Sequence, residues 1–333
     1  MSGKTKQKLP IHEGHAANND IIFALMPLLF MAVYMYGARP AFIALLAVVV
    51  ANICDFIVAH MRGSKWDKSE NSSTAIALML VMLFPASVHY YIVIFSVTVA
   101  VMIGKYAFGG YGAYMFNPTA LGFAAASVCW PEQIFSYPVP FTTVPLWNTA
   151  GIKLVNSPSY TLKMGGLPNV SSLNTFLGNY AGPMGATACL VILACAFVLL
   201  ARRRISFVVP FTFLLTGAAI AFFFPRIALG ARLDVSFTVD MAFRLNIMRY
   251  ELLCGGLIYT SVFLLSDLPT LPKNLLSKAI YGVLLGFSTM MFRYFGSYEL
   301  GMCFALLAVN SMTGYIDRTI MRVIIKKKGV RVQ

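Results

Sequence analysis

Ten apolar runs, most of them parted by short turns and small clusters of Lys and Arg, limit what this chain can fold into. The two clearest are Ile21 to Gly37 and Ala41 to His60, each long enough to cross ~30 Å of hydrocarbon as a helix. Thr74 to Phe84 is shorter and is stopped by Pro85. Tyr90 to Gly104 and Phe116 to Trp130 follow, then a Pro-, Gly-, Ser- and Asn-rich stretch from Pro131 to Pro183. The second half runs through Met184 to Ala201, Ile205 to Phe224, Glu251 to Leu265, Leu275 to Phe292 and Tyr298 to Tyr315. With 59% of its 333 residues hydrophobic and 11% charged, the chain lacks the polar side chains to cover a globule in water. Soluble domains carry roughly a quarter charged. The expected fold is all-α and polytopic in a lipid bilayer, with about ten transmembrane helices, some short or broken.

The net charge of +14 raises nucleic acid as a partner, but the basic residues sit in short clusters between apolar runs and form no single face. That distribution is what membrane topology produces, and it excludes a nucleic-acid role. With the N-terminus inside and every run crossing, the inner side receives 18 of the 26 basic residues. These are Lys4, Lys6, Lys8, Arg62, Lys65, Lys68, Lys105, Arg202 to Arg204, Lys273, Lys278 and the six from Arg318 onward. Both termini are therefore expected in the cytoplasm. The N-terminus reads as a retained span with no cleavable signal. The six cysteines contain no CxxC, and the four histidines make no metal pattern, so buried free thiols are expected and no metal site.

Ten crossings divide into two fives. Lys105-Tyr106-Ala107-Phe108-Gly109-Gly110-Tyr111 resembles Arg293-Tyr294-Phe295-Gly296-Ser297-Tyr298 with one gap, and each string lies between the fourth and fifth runs of its half. An odd number of crossings per half makes such a repeat inverted. The expected organisation is a cytoplasmic tail (1–20), a first five-helix repeat (21–130), an extracytoplasmic loop (131–183), a second repeat (184–315) and a basic cytoplasmic tail (316–333).

Three strings stand out for chemistry. In Phe116-Asn117-Pro118-Thr119-Ala120-Leu121-Gly122, Asn before Pro at the head of an apolar run marks a helix start, either a plain cap or a ligand site. Ser266-Asp267-Leu268-Pro269-Thr270-Leu271-Pro272 has turn composition. Gly182-Pro183-Met184-Gly185-Ala186-Thr187-Ala188 places one hydroxyl among small residues at the expected outer start of a helix, by itself an ordinary cap with Thr187 in the first turn. Asp55, inside the second run, costs about 2.5–3.5 kcal/mol in a bilayer unless paired or lining a polar path. It is a candidate for a Na+ or H+ pathway, or else a structural partner of a basic residue or a contact to another subunit.

In order and spacing these strings resemble the D subunit of the Rnf electron-transport complex, a ferredoxin:NAD+ oxidoreductase, and the related B subunit of the sodium-pumping NADH:quinone reductase. The resemblance covers most of the chain and includes Arg293 to Tyr298 and the ending Ile316-Asp317. It implies a cytoplasmic-membrane subunit that relays electrons in a complex coupled to Na+ or H+ transport. It also implies FMN bound through a phosphoester to the threonine of a Gly-x-Thr setting, here Gly185-Ala186-Thr187, attached outside the cytoplasm by a flavin transferase. Pro183 and Ala186 depart from the family, which commonly has a small hydroxyl residue and an acidic residue there. Asn117, Pro118, Thr119 and Asp267 are the further cofactor-binding candidates, with noncovalent riboflavin a second flavin by analogy. The implied partners are an extracytoplasmic FMN-bearing subunit and membrane redox subunits. A channel or solute transporter of inverted-repeat fold without flavin is the rival reading, and a structural scaffold subunit is a third.

Overall fold

The computed structural model describes residues 11–63, 70–147, 151–225 and 241–327. Of the basic residues assigned inward above, Lys4, Lys6, Lys8, Lys65, Lys68, Lys328 and Arg331 lie outside the described residues.

Each of the ten apolar runs contains helix, though not over its whole length. Helix α1 (Ile11–Tyr36) begins ten residues before its apolar run, so half of the expected tail 1–20 is helix. Gly37, in the left-handed region at φ 83°, ends it, and α2 (Arg39–Met61) starts at once with a proline in its first turn. Helix α3 (Ser72–Val81) is only ten residues long. Helix α4 (Tyr90–Thr98) continues as a π-helix over Val99–Tyr106, and α5 (Pro118–Cys129) closes the first half. The expected outer loop carries three short helices, α6 (Pro131–Ile134), α7 (Pro158–Lys163) and α8 (Ser172–Leu177). It also carries a two-residue antiparallel pair, β1 (Tyr137–Pro138) with β2 (Leu154–Val155).

The second half consists of α9 (Cys189–Ala201), α10 (Val208–Phe223), α11 (Met241–Leu253), α12 (Leu257–Val262), α13 (Leu275–Phe295) and α14 (Met302–Lys327). Helix α14 runs on through Arg318 and Arg322, well past the apolar run that ends at Tyr315. Apolarity records the thickness of the lipid and not the length of the helix.

Among the described residues, three helices are long and apolar enough to cross a membrane alone: Ala16–Tyr36, Arg39–Met61 and Leu275–Phe295. Helix α11 and the stretch Leu257–Ser266 make a fourth, bent by 57° where Gly255 and Gly256 both take left-handed backbone. Five shorter apolar helices accompany them. Phe30, Phe197 and Phe295 point outward at 71%, 74% and 82% exposure, as lipid-facing side chains do. The chain is a mostly helical, multi-pass membrane protein.

Lipid gives helices no hydrophobic reason to associate, so close packing of small residues must hold them together. Helices α10 and α13 meet at Gly286, where an added Cβ would stand 2.8 Å from the Phe213 carbonyl oxygen. Helix α5 meets α4 at Gly122, where a Cβ would stand 2.6 Å from the Ser96 carbonyl oxygen. The long loop is tied down by buried polar groups. Arg39 donates to the carbonyls of Pro145 (2.7 Å), Leu146 (2.8 Å) and Val88 (3.0 Å). Glu299 accepts from the hydroxyls of Tyr137 (2.7 Å) and Ser157 (2.6 Å).

Candidate functional site

Asn117 caps α5 as its position before Pro118 predicts, its Oδ1 accepting from the Ala120 amide at 3.0 Å. Its Nδ2 reaches across to the second half of the chain. It donates to the Leu264 carbonyl (3.1 Å) and to Asp267 Oδ2 (3.4 Å). Tyr114 donates to the other oxygen, Asp267 Oδ1, at 2.8 Å. Two strings 150 residues apart are thereby joined at one place. Asp267 itself sits between two 3-10 turns, Leu264–Ser266 and Leu268–Thr270, which carry the chain from α12 toward α13.

Around this junction lies a cleft lined by Asn18, Ser72, Tyr111, Asn117, Thr119 and Asp267, among others. Its volume of about 20 Å³ holds a water and no larger group. Thr119 Oγ1 is fully buried there and has no hydrogen-bond partner among the described residues. Burial pushes the Asp267 carboxyl up to about 7, against the hydrogen bonds from Tyr114 and Thr270 that lower it. The cleft therefore holds a carboxyl that titrates near neutrality beside an amide, a phenol and an unused hydroxyl. That donor and acceptor set suits the polar edge of a heteroaromatic ring, although the ring itself would need the walls to part.

Thr187 lies elsewhere. Helix α9 begins at Cys189, so Thr187 stands two residues ahead of the helix and not in its first turn as expected. Its carbonyl takes the Cys189 amide at 2.8 Å. The side chain is 1% exposed, and Oγ1 has no hydrogen-bond partner among the described residues. Glycines make this close packing possible. A Cβ at Gly178 would stand 2.7 Å from the Thr187 carbonyl carbon, and one at Gly182 2.7 Å from Thr187 Cγ2. A Cβ at Gly185 would collide with Sδ and Cβ of Met82, and Ala186 is buried beside it. An orphaned nucleophilic hydroxyl on a glycine-lined segment suits an attachment point for a phosphoester-linked group, provided the segment moves to admit it.

The far end of α9 is fixed by Asp20, which accepts from Arg202 (2.5 Å) and Arg204 (2.6 Å). Asp20 is two residues from Asn18 of the Asn117 cleft. A 13-residue helix is about 20 Å long, so the two candidate sites stand about one half-bilayer or more apart.

Asp55 is buried in α2 and accepts from Ser73 Oγ (2.7 Å), Tyr106 OH (2.8 Å) and Lys105 Nζ (3.4 Å). Lys105, fully buried, also meets Glu70 at 2.8 Å and donates to Ser73 Oγ at 2.8 Å. A second buried pair, Arg293 with Glu251 at 3.0 Å, lies in the other half, where Arg293 also donates to Ser159 Oγ at 2.6 Å. In the sequence Lys105 and Arg293 stand out only as parts of a repeated string. Their common signal is a lone cation at the end of an apolar run, which a bilayer tolerates only beside an acid. Tyr114, the second anchor of Asp267, carries no such signal.

A profile described as "NQR2, RnfD, RnfE family" matches residues 12–326. Curated relatives agree with it. The chain is 25% identical over 312 residues to the D subunit of the proton-translocating ferredoxin:NAD(+) oxidoreductase complex of Clostridium ljungdahlii, covering 90% of this chain and 88% of that one. It is 26% identical over 324 residues to the D subunit of the ion-translocating oxidoreductase complex of Stutzerimonas stutzeri, with the same coverage. The corresponding D subunit of Methanosarcina acetivorans is 23% identical over 297 residues, covering 89% and 86%. The chain belongs to the NQR2, RnfD, RnfE family.

Proposed function

We propose that this chain is the flavinylated membrane subunit of an ion-translocating ferredoxin:NAD+ oxidoreductase, carrying FMN on Thr187 Oγ1. The observation that carries the reading is the buried, unpartnered Thr187 hydroxyl in its glycine cradle, in a chain whose relatives are named as subunits of such complexes. Bound flavin supplies the one- and two-electron chemistry. The chain's own part is to carry Thr187 on the segment that meets both of its helix breaks. The Asn117–Thr119 and Asp267 cleft is proposed for a second, noncovalent flavin such as riboflavin, whose ring edge Asn117, Thr119 and Asp267 would hydrogen-bond.

The ten segments are read as an inverted five-plus-five repeat. In each half the cation of the repeated string pairs with a glutamate ahead of a short helix, Lys105 with Glu70 and Arg293 with Glu251. Each cation also reaches the residue three places after its glutamate, Ser73 Oγ at 2.8 Å and the Cys254 carbonyl at 3.4 Å. The proposed topology has both termini in the cytoplasm and Thr187 outside. It is supported by the Arg202–Asp20–Arg204 cluster at the opposite end of α9 from Thr187. Asp55 is kept as a cation-path residue on charge, because it and Glu70 share one buried ammonium. The proposed partners are an extracytoplasmic FMN-bearing subunit, membrane redox subunits and a flavin transferase.

The test is mass spectrometry of the proteolytic peptide that carries Thr187, from membranes that also contain an active flavin transferase. The expected mass is that of the peptide plus FMN less one water. A peptide of unmodified mass, with a control substrate fully modified, would overturn the assignment. A channel or transporter without flavin is the second reading, favoured by the bend between α11 and α12.

A further inference from the structure

The segment that carries Thr187 is bonded to both helix breaks at once. The Met184 amide donates to the Phe84 carbonyl and the Gly185 amide to the Met82 carbonyl, each at 2.9 Å, just past the end of α3. From the same segment, the Tyr180 hydroxyl (2.9 Å) and the Cys189 thiol (3.3 Å) both donate to the carbonyl of Leu253, the last residue of α11 before its bend. Residues 180–189 thus form a strap that joins the two breaks, with Thr187 on its covered face. Gly178 ends α8 in the left-handed region at φ 88° and lies directly on the backbone of Thr187 and Ala188.

We propose that this strap is a closable cover over the acceptor hydroxyl, and that Gly178 and Gly185 are the residues that let it close. The proposal rests on the reading of Thr187 as the flavin acceptor. Ester formation needs Oγ1 to reach the phosphorus of an activated flavin nucleotide, a pyrophosphate such as flavin adenine dinucleotide. The new P–O bond forms as the pyrophosphate bond breaks, AMP leaves, and the hydroxyl proton passes to a base of the transferase. At 1% exposure Thr187 offers no line of approach, so attachment takes place on a conformer in which the strap has lifted from Gly178 and from Met82–Phe84. The closed packing leaves no space beside Oγ1 for a phosphate. Once modified, the strap therefore holds a different position and the tie between the two helix breaks is released.

Glycine at 178 is required on two grounds. An alanine there would be strained at φ 88°, and its Cβ would meet backbone atoms of Thr187 and Ala188 at 2.7–2.8 Å, which no side-chain adjustment relieves. Alanine at 185 would meet the side chain of Met82. Either change should hold the strap open.

The experiment uses the full chain in native membranes, made without a transferase, with Thr187→Cys introduced and the exposed Cys129 replaced by Ser. The rate of maleimide labelling follows the open fraction of the strap. Labelling of the parent should be slow, and Gly178→Ala should speed it at least ~10-fold. Cys303, buried in α14, reports on folding and should stay unlabelled. Should Gly178→Ala expose Cys303, Gly185→Ala gives the same comparison at a position without left-handed backbone, its clash being with the Met82 side chain. Rapid labelling of the parent, or slow labelling in the folded glycine variants, would overturn the proposal. Loss of flavin attachment to Thr187 in the wild-type chain would instead defeat the acceptor reading and leave the labelling rates as they stand.

Discussion

The Asn117–Asp267 cleft and the Thr187 strap both lie where a helix is interrupted, yet they are made of opposite materials. The cleft is held by side chains from distant segments, with Asn117 and Tyr114 converging on one carboxylate, and it keeps a pocket the size of a water. The strap is held by two backbone amides and two side-chain donors that all end on backbone carbonyls, and its glycines let it pack closely. A site fixed by side chains can exchange a ligand by rotamer changes. A site closed by backbone contacts opens only by moving a segment, which suits a group attached once and kept. The difference is what the proposal of one exchangeable and one covalent flavin requires.

The largest effect is expected at the buried charges that frame both places. Arg293→Ala leaves Glu251 buried and unpaired, and should cost on the order of 3–5 kcal/mol. That should appear as loss of folded protein in a thermal assay on detergent-solubilised chain. Lys105→Ala should cost as much or more, since two carboxylates lose their partner. A mild effect at either position would mean that the pair is solvated and does not brace the break.

Next comes Asp267→Asn, which keeps the shape of the cleft and removes its charge. It should strip noncovalent flavin from purified chain while leaving covalent flavin unchanged, as read by acid extraction against in-gel fluorescence. Equal loss of both would erase the distinction between the two sites.

The third effect is on pH. The folded Asp267 carboxyl is raised to about 7, so the folded state binds a proton that the unfolded chain has released. Its contribution to stability is therefore greatest at acid pH and declines as pH rises from about 4 to about 7. Asp267→Asn should flatten the thermal stability profile across that window, and an unchanged profile would place the titration elsewhere.

The smallest effect belongs to Asn117→Ala, which loses the helix cap, about 1 kcal/mol, and one link to Asp267. It should lower the melting temperature slightly and weaken noncovalent flavin retention, while Asn117→Asp keeps the cap but turns a carboxylate toward Asp267 and should weaken retention further.

What could be read in the sequence was local. The apolar runs became helices because hydrocarbon demands satisfied backbones. Asn117 became a cap because it precedes Pro118. The ends of α1 and α14 were missed, since their polar turns carry no apolar signal. The meeting of Asn117 with Asp267, of Asp55 with Lys105 and of Gly185 with Met82 depends on helix crossings that no local pattern states. Thr187 was singled out through resemblance to a family motif. Its burial could not be read from that motif, because the cover comes from Gly178 and from α3, which lie outside it.

The central claim is that Thr187 is the covalent flavin acceptor, and in-gel fluorescence of the denatured 36.5 kDa chain tests it most directly. With an active transferase present, the wild-type band should fluoresce under ultraviolet light and Thr187→Ala should be dark. A dark wild-type band beside a fluorescent control substrate, or a Thr187→Ala band that still glows, would contradict it.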